Sequence, residues 1–141
     1  MTQTSKNYRS HCPINFVLET FGDKWTLLII RDLMFKGKRS YGEFLESDEK
    51  ISTNILADRL LKLEGNGIVK KHVAPENRSK FIYKLTQKGK DMLPIMLEVT
   101  QWSSQYDALS NTPKPFIKAL EKDKNSVAAQ VLNALEKSEQ L

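Results

Sequence analysis

Cysteine is almost absent from this sequence of 141 residues, since Cys12 is the only one. An internal disulfide is therefore excluded, and a lone thiol suits a reducing compartment. His11 and His72, with one cysteine, do not make a metal site. No apolar run approaches the roughly 20 residues that span a bilayer, and residues 1–11 lack the apolar core of a signal peptide. We therefore expect a cytoplasmic protein with no membrane contact, no metal and no cofactor.

Common catalytic motifs are also missing. The sequence contains no Walker loop, no Gly-x-Gly-x-x-Gly, no His-Glu-x-x-His and no Gly-x-Ser-x-Gly. His72 lies among lysines, without a nucleophile nearby in the sequence. We therefore expect a protein that binds other molecules and has no enzymatic activity.

Positive charge is concentrated in one stretch of the chain. The formal net charge is +5 and the pI is about 9.3. Residues 69–90 contain one acid, Glu76, and seven basic residues: Lys70, Lys71, Arg78, Lys80, Lys84, Lys88 and Lys90. This stretch favours a polyanionic partner such as nucleic acid, while a solvated lysine-rich surface is the alternative.

The first third of the chain predicts an arm followed by two helices. Residues 1–11 are expected to form a flexible arm. Pro13 suits the first position of a helix that ends at Gly22. Asp23 is a good N-cap for a second, largely apolar helix that continues to Phe35. Residues 38–40 predict either a short strand or the approach to the next helix.

Residues 41–65 have the pattern of a helix-turn-helix. A short helix over 41–47 is followed by a polar turn and by a second helix, for which Ser52 is the predicted N-cap. Ile51 and Leu56 occupy the two positions of a hydrophobic staple. Small and polar residues lie opposite the apolar face of the second helix, which favours a recognition helix. An ordinary αα-hairpin is the alternative.

A basic hairpin is predicted directly after this unit. Residues 68–73 and 81–85 are rich in β-branched and aromatic residues and flank a turn over 74–80. A helix-turn-helix followed by such a hairpin is the order of a winged helix. The predicted fold class is therefore mainly α (α+β), a winged helix-turn-helix with a two-stranded β wing and a long dimerisation helix, over residues 12–107.

The dimerisation helix is predicted over 87–107, with Thr86 as its cap and with either a kink or a tight packing point at Pro94. Its apolar stripe is so wide that we expect a partner, either the N-terminal helix of the same chain or the same helix of a second subunit. The predicted homodimer interface is Ile95, Met96, Val99, Trp102 and Tyr106. Trp25 and Trp102 are expected to be packed aromatics and not ligand-binding residues. A linker over 108–115 and a helical extension over 116–141 complete the chain.

Three motifs in this order resemble the HxlR family of bacterial transcription regulators. They are Cys12-Pro13 with the Gly-Asp-Lys-Trp segment and the apolar helix that ends in Arg-Asp-Leu, then residues 51–60, then Leu-Thr-Gln-Lys-Gly at 85–89. The resemblance covers roughly residues 12–107 and implies a dimeric winged helix that binds double-stranded DNA. Some members of that family sense electrophiles or oxidants through the cysteine at the position of Cys12. Residues 113–141 extend beyond the usual domain.

The expected DNA contacts divide between base edges and backbone. The N-terminal end of a recognition helix enters the major groove, where asparagine pairs with adenine and a threonine methyl contacts thymine. The predicted contacts of this helix are Ser52, Thr53, Asn54, Asp58, Arg59 and Lys62; Asp58 either accepts from cytosine or pairs only with Arg59. The predicted wing contacts are Asn77, Arg78 and Lys80, and the predicted phosphate contacts are Lys38, Arg39 and Ser40.

Cys12 is the candidate sensor. A position at the N-cap of the first helix favours a thiolate, whereas most free cysteines are buried and inert. Two other functions stay open: a regulator controlled by a small ligand at the dimer interface, and a winged helix that binds only proteins. The last of these predicts a neutral wing, and Arg78 and Lys80 speak against it.

Overall fold

A computed structural model describes residues 7–139. Its elements are α1 (Pro13–Phe21), α2 (Thr26–Phe35), α3 (Tyr41–Leu45), α4 (Thr53–Gly65), β1 (Val69–Ala74), β2 (Asn77–Leu85), α5 (Gln87–Lys90), α6 (Leu93–Tyr106), α7 (Lys114–Lys122) and α8 (Lys124–Glu139). This order confirms the predicted winged helix-turn-helix. Residues 1–6 of the predicted arm and the last two residues of the extension lie outside the described range. Within that range, no helix is long and apolar enough to cross a membrane.

Local sequence explains where α1 and α2 begin and end. Pro13 opens α1, where its missing N–H removes no helical hydrogen bond. A Cβ at Gly22, after the end of α1, would lie 2.1 Å from the carbonyl oxygen of Leu18, so the chain turns there at glycine. α2 begins at Thr26, later than predicted, because Asp23 first closes a turn. Asp23 Oδ1 accepts hydrogen bonds from the backbone N–H groups of Trp25 at 2.8 Å and of Thr26 at 3.0 Å.

The core lies between α2, α4, α6 and the base of the hairpin. Ile30 of α2 and Leu56 of α4 are fully buried, and so is Leu97 of α6. The predicted cap and staple of α4 are confirmed, since Ser52 Oγ accepts the N–H of Ile55 and both staple residues are buried. The inner face of α4 is therefore packed into the core.

The wing is a two-stranded antiparallel hairpin whose turn is tighter than predicted. Residue pairs run from Val69↔Leu85 to Val73↔Phe81, and Ala74 then pairs with Asn77. The second strand therefore begins at Asn77, and residues 78–80 have no counterpart in β1. The backbone N–H of Tyr83 donates to the carbonyl of Arg39 at 2.8 Å, so the segment before α3 meets β2 in an isolated β-bridge between Ser40 and Ile82 and does not form a strand.

The predicted long helix is divided into α5 and α6. α5 ends at Lys90 and α6 begins at Leu93. Pro94, at the start of α6, has no N–H with which to continue the helical hydrogen bonds, which confirms the predicted kink. Gly89 allows α5 to approach the wing base, because a Cβ there would lie 2.4 Å from the carbonyl oxygen of Ile68.

The C-terminal helices pack on the same core as the winged helix. α7 begins at Lys114, inside the predicted linker. Leu120 of α7 and Val127 and Leu135 of α8 are buried in the main hydrophobic cluster. α8 contacts both α2 and α6. At the end of α8, Glu139 accepts from Lys90 Nζ at 3.1 Å. The extension is thus a layer over the back of α2 and α6.

A buried carboxylate joins α2 to the helix-turn-helix. Asp32 is 3% exposed and accepts hydrogen bonds from Ser47 Oγ and from the guanidinium of Arg31. Lys38 Nζ lies 3.9 Å from this carboxylate and donates to Ser47 Oγ at 2.9 Å. Arg31 also forms a bidentate pair with Glu49 at 2.7 and 2.9 Å. The turn between α3 and α4 is therefore held on α2 by charge and hydrogen bonds.

Replacing the buried carboxylate should destabilise the fold. Asp32→Ala is expected to lower the free energy of unfolding by about 3 kcal/mol, because it leaves the Ser47 hydroxyl without its acceptor and Lys38 without its carboxylate partner. Asp48→Ala removes an exposed carboxylate from the same turn and should change stability by less than about 0.5 kcal/mol. Urea denaturation followed by circular dichroism measures both. A small, equal effect of the two substitutions would show that the network does not hold the turn.

Candidate nucleic-acid interface and candidate sensor

The N-terminal end of α4 is exposed and fixed in position. The hydroxyl of Tyr41 donates to the carbonyl of Thr53 at 2.7 Å, which ties the first turn of α4 to α3. Ser52, Thr53 and Asn54 are all exposed. The Asn54 amide forms no hydrogen bond with any residue in the described range, so its donor and acceptor are both free to bind a base edge.

The charged residues further along α4 are paired within the protein. Asp58 accepts from Lys62 Nζ at 3.2 Å and also pairs with Arg59. Of the two roles considered for Asp58, the structure shows the pairing with Arg59. Arg59 Nε lies 3.1 Å from Asp23 Oδ1, which links α4 to the turn before α2. Partial burial raises the pKa of Asp23, but hydrogen bonds from Thr26, from the backbone and from Arg59 outweigh it and lower that pKa to about 2. Arg59 thus has a structural role, and its DNA contact stays a prediction.

The wing tip presents cations on a shaped backbone. Asn77 Oδ1 accepts the N–H and the hydroxyl of Ser79 at 3.0 and 2.7 Å, so Asn77 shapes the strand start. Arg78 and Lys80 are exposed. Lys71 Nζ lies 4.1 Å from the ring centroid of Phe81, a cation–π contact. The side-chain oxygen of Asn77 is therefore occupied by Ser79, whereas the guanidinium of Arg78 is accessible.

The basic stretch of residues 69–90 separates into two groups. Lys84 donates to the carbonyl of Glu139 at 3.1 Å, Lys90 pairs with its carboxylate, and Lys88 donates to the carbonyl of Asn66 at 2.8 Å. Lys84 and Lys90 thus link the end of β2 and α5 to α8, and Lys88 links α5 to the end of α4. The other four, which we call the wing cations, are Lys70, Lys71, Arg78 and Lys80. Only the wing cations are available to a partner.

Two of the three predicted phosphate contacts point inward, which corrects the prediction. Lys38 is engaged with Ser47 and Asp32. Ser40 is 4% exposed and caps α3, where its hydroxyl donates to Glu43 at 2.8 Å and its N–H donates to the same carboxylate at 3.1 Å. The guanidinium of Arg39 has no partner in the described range. Of this segment, only Arg39 remains suited to a phosphate.

The thiol of Cys12 is exposed at the start of α1. The backbone N–H groups of Asn15 and Ile14 lower its pKa, against a smaller effect of desolvation. The thiol makes no full capping hydrogen bond. Arg9 is directed along α1, where it donates to Asn15 Oδ1 at 2.7 Å. Cys12 is therefore an accessible thiol whose pKa is lowered, and it is not buried.

A cavity of about 490 Å³ lies beside this thiol, between α1 and the α5–α6 junction. His11 and Pro13, the two neighbours of Cys12, line it together with Phe16 of α1 and Met92 at the junction. The ring of Tyr8 packs edge-on against Phe16, with centroids 5.7 Å apart. Cys12 itself is not among the lining residues, although both of its neighbours in the sequence are.

α1 and α6 present an exposed apolar face. Trp102 and Tyr106 are 67% and 68% exposed, and their ring centroids lie 5.2 Å apart. Ile95 and Val99 continue this stripe along α6. On α1, Ile14, Val17 and Leu18 are exposed as well.

Two residues on α6 differ from the predictions. Met96 is buried in the core of its own chain, because it lies on the inner face of α6 with Leu93 and Leu97. The expectation that Trp102 is a packed aromatic is wrong for this chain by itself, whereas Trp25 packs partly buried against the core.

A model of the family described as HxlR-like helix-turn-helix matches residues 20–111, that is 92 of the 141 residues. The chain belongs to the HxlR family of transcription regulators. The matched segment runs from the end of α1 to just beyond α6, so the family domain includes the helix-turn-helix and the wing. α7 and α8 lie outside it.

Curated relatives agree with this assignment. The HTH-type transcriptional regulator YodB of Bacillus subtilis is 38% identical over 96 residues, which cover 67% of this chain and 85% of YodB. The uncharacterized HTH-type regulator sll1512 of Synechocystis is 35% identical over 95 residues, covering 67% of this chain and 70% of the relative. Since the relatives are regulators of transcription, the family is not one of enzymes.

Solved structures share the fold. The redox regulator HypR in its oxidized form superposes with a TM-score of 0.59 at 32% identity, covering 67% of this chain and 96% of HypR. The quinone-bound form of YodB superposes with a TM-score of 0.56 at 34% identity, covering 67% of this chain and 99% of the YodB chain. PA1607, described as a transcription-factor candidate, superposes with a TM-score of 0.66 at 33% identity. The superposition covers 74% of this chain and 72% of PA1607.

Sequence reasoning missed two features of the site. α1 contributes Ile14, Val17 and Leu18 to the exposed apolar face, although an amphipathic pattern of this kind predicts burial. Ser40 was assigned to DNA, although Ser-x-x-Glu at residues 40–43 is the pattern of a capping box. That pattern was the signal that could have placed Ser40 correctly.

Proposed function

We propose that the protein is a homodimeric transcription regulator that binds specific double-stranded DNA. In this proposal α4 enters the major groove and the wing lies against the backbone or the minor groove. The observation that carries it is the unpaired Asn54 amide at the exposed end of α4, together with the four exposed wing cations, none of whose charged groups forms an ion pair or hydrogen bond with a residue between 7 and 139. A wing used only for protein contacts would not need that charge.

The two parts of the interface would act differently. Asn54 has both a donor and an acceptor free, which is what bidentate pairing with adenine requires, and Thr53 offers its methyl group to thymine. Arg78 offers charge to phosphates, which fixes position without specifying sequence. The internal ion pairs of Asp58 reduce its repulsion of DNA, because Lys62 and Arg59 compensate its charge.

Asn54→Ala and Arg78→Ala should therefore weaken DNA binding in distinguishable ways. Asn54→Ala is expected to relax the preference at one or two base pairs, by about 1–3 kcal/mol at each. Arg78→Ala should weaken binding to all sequences and reduce the salt dependence by about one phosphate contact. Gel shifts with the DNA upstream of the protein's own gene, at several salt concentrations, measure both effects.

Lys118→Ala is the matched control, because Lys118 is exposed on α7, far along the chain from the wing. Its removal should leave both the base preference and the salt slope unchanged. The same sequence-independent loss in the Asn54 and Arg78 variants would refute the division of labour. A wild-type protein that binds no DNA would refute the proposed function itself.

The homodimer is proposed from the apolar face of α1 and α6. Ile95, Val99, Trp102 and Tyr106 lie at helical spacing on the one face of α6 that neither the core nor the C-terminal helices cover. A contiguous apolar surface of this kind is rare on a protein that stays monomeric. A second copy of the chain would bury the same surface symmetrically, as two-fold dimers do.

A charge in the centre of this face should separate the subunits. Val99→Glu is expected to give a monomer in analytical ultracentrifugation, because an unpaired carboxylate in an apolar interface is costly. Gln130→Glu adds the same charge to the exposed surface of α8 and should remain dimeric. Monomeric wild-type protein at micromolar concentration, or a dimeric Val99→Glu variant, would contradict the assignment.

A second proposed function is a response to electrophiles through Cys12. The exposed thiol with a lowered pKa supports it, and so do the quinone-bound YodB and oxidized HypR among the structural relatives. With a quinone, the thiolate would add to a ring carbon, forming an S–C bond, and proton uptake would leave a hydroquinone thioether. The adduct would sit at the junction of α1 and α6.

Cys12 should be alkylated at lower pH than a free cysteine, because the first turn of α1 stabilises its thiolate. The rate of alkylation against pH measures this. Benzoquinone should weaken DNA binding by the wild type and leave Cys12→Ser unaffected. Cys12→Ser without benzoquinone is the control for the substitution itself. An alkylation pKa at or above about 8.5, with equal responses of both proteins, would return Cys12 to a structural role.

A further inference from the structure

A second cavity, of about 510 Å³, lies on another side of α6, where the C-terminal helices cover the end of α2. Met34 and Phe35 of α2 form one wall, and Phe116 of α7 with Val131 and Ala134 of α8 form the opposite wall. Half of its lining residues follow residue 111, where the match to the family ends. The cavity therefore lies between the family domain and the extension, and each supplies half of its lining residues.

Lys36 gives this cavity its electrostatic character. It is the one charged residue among the lining residues, and no acidic side chain lies among them. Lys36 is exposed, and its ammonium has no ion pair or hydrogen bond with any residue between 7 and 139. Thr100 adds a hydroxyl, but that hydroxyl already donates to the carbonyl of Met96 at 2.8 Å. The lining thus combines apolar walls with the polar side chains of Thr100, Asn111 and Thr112 and with a single unpaired cation.

We propose that this cavity binds a small apolar carboxylic acid, whose carboxylate pairs with Lys36 and whose hydrocarbon part lies between Phe35, Phe116 and Val131. The volume is in the range of about 300–1,000 Å³ that is usual for small-molecule sites. Apolar walls with few polar groups are also usual, and a charge-assisted hydrogen bond fixes the orientation of the ligand. A cationic ligand would face Lys36 without any compensating acid.

The site also lies next to the network that holds the helix-turn-helix. Gly37 follows Lys36 with a φ of +67°, and Lys38 then reaches Asp32 and Ser47. A ligand that pulls Lys36 toward the cavity acts two residues from Lys38. The acid is therefore expected to change DNA affinity, a step that rests on the proposed function.

The probe is 4-phenylbutyrate, with 4-phenylbutanamide as its neutral counterpart, in isothermal titration calorimetry with the full chain. The wild type should bind one acid per chain about tenfold more tightly than the amide, the difference expected of one charged hydrogen bond. Lys36→Gln should abolish that preference. Lys118→Gln, a lysine on α7 outside the cavity, should keep it. Ala134→Trp should fill the cavity and lose both ligands.

Circular dichroism melting curves test whether each variant is folded. The site is refuted if the wild type binds no acid at millimolar concentration, if Lys36→Gln and Lys118→Gln behave alike, or if folded Ala134→Trp still binds. Gel shifts with and without the acid test the coupling separately. Acid binding without a change in DNA affinity would overturn the coupling, and absence of any DNA binding would overturn the proposed function, with the calorimetric result standing in either case.

Discussion

Asp32 places a carboxylate in the interior, and a buried charge is stable only when partners surround it. Its partners come from separate parts of the chain: Arg31 from its own helix, Lys38 from the segment before α3, and Ser47 from the turn before α4. α2 also contacts β2 and α8. α2 is therefore in contact with the helix-turn-helix, the wing and the C-terminal helices. The direction of α4 thus depends on the position of α2 as well as on the α3–α4 turn.

Features that depend on neighbours along the chain were predictable from the sequence. The cap at Ser52, the staple beside it and the break at Pro94 each involve residues within about five positions of one another. The start of α2 was predicted three residues early, because Asp23 closes a turn before the helix begins. The strand start at Asn77 was not predicted either, because it depends on the register shift in the pairing of β2 with β1.

Features that depend on distant partners were not predictable. Lys84 and Lys90 belong to the basic stretch by sequence, yet Glu139 near the end of the chain holds both. Nothing in residues 69–90 distinguishes them from the wing cations. Hydrophobic periodicity has the same limit at α1, because an apolar face predicts burial without saying whether the cover is the same chain or another copy. Ile14, Val17 and Leu18 of α1 are exposed, so no element between residues 7 and 139 covers them.

α6 connects the proposed activities, because each of its faces meets a different neighbour. Leu93, Met96 and Leu97 face the core, the C-terminal helices cover a second side, and the stripe from Ile95 to Tyr106 faces the proposed second subunit. The cavity beside Cys12 and the cavity at Lys36 border different sides of this helix. In a dimer built on α6, a shift at either side changes the angle between the subunits and so the separation of the two α4 helices. DNA half-sites lie about 34 Å apart, one helical turn, and a pair of recognition helices that no longer matches that spacing loses one of its two sets of base contacts.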